Sequence, residues 1–163
     1  MTTYTHITHP FKPIYDSTSK ILILGTLPSV KSRENEFYYG HPKNRFWKVT
    51  AAVVGETEPK SVDEKTEMLL RHNIALWDVI DSCDIAGSSD SSIRNVVPTD
   101  LCGIIKESGI ERIFANGRKA AELYDKYQRA ATGMDITRLP STSPANAAWS
   151  FERLLAEWKK IRP

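Results

Sequence analysis

Apolar residues fall along this chain in two rhythms. Four uninterrupted aliphatic positions, Ile21-Leu22-Ile23-Leu24, closed by Gly25 and Pro28, have the pattern of a central parallel strand covered on both faces. Ile74 to Ile80, Arg112 to Ala115 and Ile136 to Leu139 are similar short runs and are predicted strands. The first of these ends near Asp78 and sends out a loop. Between the runs the period lengthens to that of a helix. Phe46, Val49, Thr50, Val53 and Val54 define one that opens near Asn44 and is stopped by Gly55. Ser61-Val62-Asp63-Glu64 has the form of a capping box opening a helix to about His72. Thr99 or Asp100 caps a helix through Glu107, and Arg118 to Tyr127 is amphipathic. Ser143-Pro144 opens a last helix that buries Ala147, Phe151, Leu154, Leu155 and Trp158.

Strand alternating with helix implies an α/β fold: a single-domain, three-layer α/β/α sandwich around a four-stranded parallel sheet. Residues 1–19 are a polar lead-in arm anchored by Phe11 and Tyr15. Asp81 to Pro98 shows no periodicity and is read as a long polar loop over the site. Each strand ends in Gly, Pro, Asn, Ser or Asp, so the loops converge on one edge of the sheet and build one cleft.

Composition narrows this picture only slightly. The 163 residues are 40% hydrophobic, enough for one core, and 22 basic against 20 acidic side chains leave a net charge of +2. No global field argues for a polyanion, so any nucleic-acid contact has to be local. The two cysteines, Cys83 and Cys102, have no metal-ligand spacing and are expected to be reduced thiols. Neither a signal-peptide core nor a membrane-length apolar run is present, so the expected location is the cytoplasm or nucleoid.

The chemistry concentrates in six blocks at strand ends. They are Gly25-Thr26-Leu27-Pro28-Ser29, Tyr38 to Trp47, Trp77 to Ile80, Gly87 to Ser91, Asn116 to Ala120 and Leu139 to Pro144. In this order they resemble the uracil-DNA glycosylase superfamily, most closely its hypoxanthine-DNA glycosylase branch, over Ile21 to about Trp149. The resemblance implies a uracil-DNA glycosylase-like fold and a monofunctional glycosylase of base excision repair. Such an enzyme hydrolyses the N-glycosidic bond of hypoxanthine, and of uracil or xanthine, in DNA without metal or cofactor. Superfamily branches with an iron–sulfur cluster carry four cysteines, and two are too few. No lysine in the blocks has a reason to be neutral, so a lyase step is not indicated.

The wider superfamily has Asp or Asn just before the proline of the first loop, to hold the attacking water. Here that residue is Leu27, which can neither donate nor accept a hydrogen bond. In the hypoxanthine branch the water falls to the asparagine matching Asn44, which as an amide can orient it but cannot act as a base. Asn ahead of an apolar-periodic helix is also a preferred cap, and both roles compete for one oxygen.

The base pocket is expected at Gly25, Thr26, Leu27, Pro28, Ser29, Tyr39 and Asp78, with Tyr39 the candidate for stacking on the extruded base by analogy with single-strand readers. Asp78 is either a base-edge reader or a carboxylate bonded to loop amides. DNA contact is expected from Lys43, Ser141, Thr142 and Ser143. Asn116, Gly117, Arg118 and Lys119 form either a second phosphate clamp or a strand-end turn with a solvated basic face. Asp90 and Ser91 are lid contacts or solvated, and the wedge lies somewhere in Thr142 to Asn146. Two other functions remain on this fold: a non-catalytic nucleic-acid-binding module and a hydrolase of free nucleosides.

Overall fold

The computed structural model describes residues 2–34, 37–87 and 89–162. The chain runs β1 (Thr5–Thr8), β2 (Ile21–Gly25), α1 (Val30–Glu34), α2 (Phe46–Val54), α3 (Val62–Arg71), β3 (Ile74–Asp78), β4 (Ile80–Ile85) and β5 (Arg94–Pro98). It continues through α4 (Leu101–Glu107), β6 (Arg112–Asn116), α5 (Arg118–Tyr127), α6 (Arg129–Thr132), β7 (Ile136–Leu139) and α7 (Phe151–Trp158).

The parallel sheet has the order β3-β2-β6-β7. All of β2 is buried, and its side chains alternate between two cores. Ile21 and Ile23 meet Phe46, Val49 and Val53 of α2, Met68 and Leu69 of α3, and Leu154 and Trp158 of α7. Leu22 and Leu24 meet Leu101 and Ile104 of α4 and Leu123 and Tyr124 of α5. Helices therefore cover both faces, as the uninterrupted apolar run requires. The order reverses at β2, with β3 on one side and β6 on the other. Ligands of open α/β sheets bind at such a switch.

The capping box of α3 forms, with Ser61 Oγ accepting from Glu64 N–H at 3.0 Å. Gly55 ends α2 in the left-handed region, and Asp100, rather than Thr99, caps α4 through Gly103 N–H. Thr99 instead donates to the Asp78 carbonyl at 2.8 Å, and Gln128 Nε2 donates to the Thr99 carbonyl at 2.8 Å. Both are buried, and they fix the point where the chain leaves the parallel sheet.

Two expectations are corrected. Asp81 to Pro98 is not one loop: β4 and β5 form an antiparallel sheet with β1 of the arm, in the order β1-β4-β5. The β4–β5 register shifts twice, which breaks the period of two, and β5 buries nothing fully. The chain also passes from β3 to β4 through Val79 alone, so no loop leaves Asp78. Secondly, Ser143-Pro144 opens only a single turn over Pro144–Asn146, and α7 starts at Phe151 under a Ser150 cap. The Arg45 guanidinium donates to the carbonyls of Asn146 and Trp149, which pins the segment between the single turn and α7 to the start of α2. Ala147 is consequently exposed. No helix among the described residues is long and apolar enough to cross a membrane.

Candidate active site

The C-terminal ends of β2 and β3 lie side by side, with Gly25 opposite Asp78. Asp78 is 3% exposed, and its Oδ2 lies 2.7 Å from Nε2 of His9, an equally buried side chain delivered by the arm. Phe11 N–H donates to His9 Nδ1 at 3.1 Å. An accepting Nδ1 puts the ring proton on Nε2, so the imidazole donates to the Asp78 carboxylate. Sequence reasoning missed His9, because a single His-Pro in a polar arm gives no periodic signal.

Tyr39 adopts φ 52, and its ring stacks on Phe46 at 4.1 Å and 14°. One face is thus covered, and the residue lines the cleft. Its hydroxyl is buried without a hydrogen-bond partner among the described residues. Burial raises the Tyr39 phenol and the Asp78 charge adds to the rise; the nearby Asn116 amide offsets part of it. Tyr38 is raised for the same two reasons, so both phenols stay neutral.

Gly25 lines the cleft and also makes room for its neighbours. The space its missing side chain leaves is filled by protein: a Cβ there would overlap Asp78 Oδ1 and lie 2.8 Å from Tyr39 Oη.

Asn44 precedes α2. Its Oδ1 accepts from Phe46 N–H at 2.9 Å and from the Thr142 hydroxyl at 2.8 Å. Only oxygen can accept from a backbone amide, which orients the side chain and leaves Nδ2 toward the cleft that Asn44 lines. Capping and site functions are therefore split between the two ends of one amide. Asn116 bonds Thr142 twice, Nδ2 to Oγ1 and Thr142 N–H to Oδ1, each at 3.0 Å. Thr142 is fully buried, and the Asn116 amide thereby ties the end of β6 to the loop after β7, with both residues lining the cleft.

These elements enclose a cleft of about 450 Å³. Thr26, Leu27, Pro28 and Ser29 form one wall, with Ser29 Oγ engaged by Ser32 N–H at 3.1 Å. Gly117, Arg118, Lys119, Ser141 and Ser143 form the opposite rim. Gly87 and Asp90 of the β4–β5 connection also line it; Ser91 does not, and Ser88 lies outside the described residues. Burial pushes the Asp90 carboxyl up, and the Lys119 ammonium opposes the shift. Lys43 is exposed just beyond the cleft, and His41 Nδ1 accepts its N–H at 3.0 Å. Helix α5 begins after Gly117 with no side-chain cap, so its first amides stay available to an anion.

A family model described as the uracil DNA glycosylase superfamily matches residues 12–162. The chain is 38% identical to a protein named hypoxanthine DNA glycosylase from Methanosarcina acetivorans, over 93% of this chain and 95% of that one. It is 34% identical to one of the same name from Methanosarcina barkeri, over 83% and 86% of the two chains. The solution NMR structure of a Methanosarcina acetivorans protein, described as a candidate uracil DNA glycosylase, superposes with a TM-score of 0.82 at 34% identity, covering 96% of each chain. Joined to a cleft at the switch of a four-stranded parallel sheet, these matches establish that the chain belongs to the uracil DNA glycosylase superfamily.

Proposed function

We propose that this protein is a monofunctional DNA glycosylase that hydrolyses the N-glycosidic bond of hypoxanthine in DNA. The observation that carries the reading is the meeting of the Asn44 amide and the Asp78 carboxylate in one cleft deep enough for an extruded base. The base enters over Tyr39, whose ring is already braced by Phe46. Asn44 Nδ2 donates to one lone pair of a water and leaves the other aimed at the anomeric carbon. A poor nucleophile suffices when the bond has largely broken, with the oxocarbenium-like sugar stabilised by the DNA phosphates.

Asp78 governs which base leaves. An ionised carboxylate only accepts hydrogen bonds, so it pairs with the ring N–H of a deaminated base and not with the bare ring nitrogen of adenine or cytosine. Its charge also penalises a base that departs as an anion, as uracil does, and tolerates a purine that takes a proton from solvent on N7. Hypoxanthine is therefore preferred to uracil. Duplexes carrying hypoxanthine, xanthine, uracil or a thymine mismatch test the reading together. Abasic product is expected first on hypoxanthine, and none on any duplex would overturn it.

Ser141, Ser143, Arg118, Lys119 and the first amides of α5 serve the phosphates. Lys119→Ala is expected to weaken binding to damaged and undamaged duplex alike. The slope of log affinity against log salt should fall by about one. An unchanged slope in a fluorescence-anisotropy titration would remove Lys119 from the phosphate path. A second reading, a binding module without chemistry, is favoured by Leu27 and by the full engagement of Asn44 Oδ1.

A further inference from the structure

The base pocket is completed by a residue from outside the α/β/α layers. The arm enters through β1, which pairs with β4, and His9 N–H then donates to the Asp81 carbonyl at 2.7 Å. Five residues on, Ile14 bridges Leu76, so the segment between is held at both ends against β3 and β4. The imidazole stands edge-on to Phe11 and tilted to Tyr38, each at 5.8 Å, and its Nε2 reaches Asp78 Oδ2. The Tyr38 and Tyr39 phenols also face Asp78; both are neutral, and the Tyr39 hydroxyl makes no hydrogen bond to it.

We infer that His9 is a positioning residue of the base pocket: its Nε2–H holds the Asp78 carboxylate in one orientation, with Oδ1 beside Gly25 and Tyr39. The inference rests on the glycosylase reading above and on the selectivity it assigns to Asp78. A buried carboxylate stripped of its donor must turn to another partner or take up a proton. Either change removes the negative charge from where the base is read.

An arm anchor would also bury a histidine, so the test separates anchoring from action through Asp78. His9→Phe keeps the ring and its packing but not the donor. His9→Asn retains an oxygen for Phe11 N–H on a side chain too short to reach Asp78, and serves if the phenylalanine variant does not fold. His9→Gln returns a donor near the Nε2 position. The readout is single-turnover excision of hypoxanthine and of uracil from one duplex sequence, with thermal melts confirming the fold.

Hypoxanthine excision is expected to slow roughly tenfold in His9→Phe and His9→Asn. Uracil excision should fall less or rise, and His9→Gln should recover most of the loss. Added to Asp78→Asn, either of the first two should change the hypoxanthine rate less than about twofold, because the group they act through is already neutral. Equal losses with Asp78 intact and in the Asp78→Asn background, or no loss in either, would overturn the inference while the wild-type enzyme still cleaved. A wild-type protein that cleaved nothing would instead overturn the glycosylase reading itself.

Discussion

Asn44→Ala is expected to slow single-turnover excision of hypoxanthine on the order of a hundredfold to a thousandfold, with affinity for the same duplex nearly unchanged. The size follows from how few groups can hold the water. Leu27 offers no polar atom, Ser29 Oγ is engaged by Ser32 N–H, and the Thr142 hydroxyl is buried against Asn44 and Asn116. Asn44 Nδ2 takes part in none of these bonds. The substitution also strips an acceptor from Phe46 N–H at the start of α2, costing about 1 kcal/mol of stability. Asn44→Asp separates the two losses, since its oxygen still accepts from Phe46 N–H while the N–H pair is gone. Its melting temperature should return to that of the wild type and its activity should not. Wild-type turnover in Asn44→Asp would mean that an acceptor holds the water. Wild-type turnover in Asn44→Ala would remove the residue from the chemistry altogether.

The parallel sheet was readable because each of its strands is a short apolar run between helical periods. Ile21 to Leu24 needed no partner to be recognised, since burial on both faces leaves no polar position. The antiparallel sheet was not readable. Its strands are held by backbone pairing, β1 buries only Ile7, β5 buries none, and bulges in β4 shift Cys83 and Ile85 out of step with Ile80. A helix start is a local signal and its length is not, which is why Ser143-Pro144 reads correctly as a capped helical start and wrongly as the opening of α7. The same limit applies to the site. Block order located the cleft, and the structure brings Gly25, Tyr39, Asn44, Asp78 and Lys119 to it. That Asn116 and Thr142 bond to each other depends on how two loops meet, which no spacing encodes. His9 depends on where an arm with one buried strand residue crosses β3.

Gly25→Ala should be nearly as damaging as the loss of Asn44, although it adds a single methyl group. That methyl would overlap Asp78 Oδ1 and approach Tyr39 Oη to 2.8 Å, so something has to move. The backbone cannot retreat easily: β2 is central, Gly25 pairs with Asp78, and the Gly25 carbonyl accepts from Val79 N–H at 2.8 Å. Tyr39 is pinned between its left-handed backbone and the Phe46 ring. The carboxylate is thus the group displaced, at the cost of its bond to His9. Overpacking of this kind destabilises by about 1–3 kcal/mol. Excision of hypoxanthine should fall on the order of a hundredfold, since the misplaced charge no longer meets the base edge. Combining it with Asp78→Ala removes the closer of the two clashes and leaves the Tyr39 contact, so melting temperature should recover in part while activity stays low. If Gly25→Ala alone kept both the wild-type melting temperature and the wild-type rate, the carboxylate would be free to shift at no cost. Excision would then not depend on where Asp78 sits.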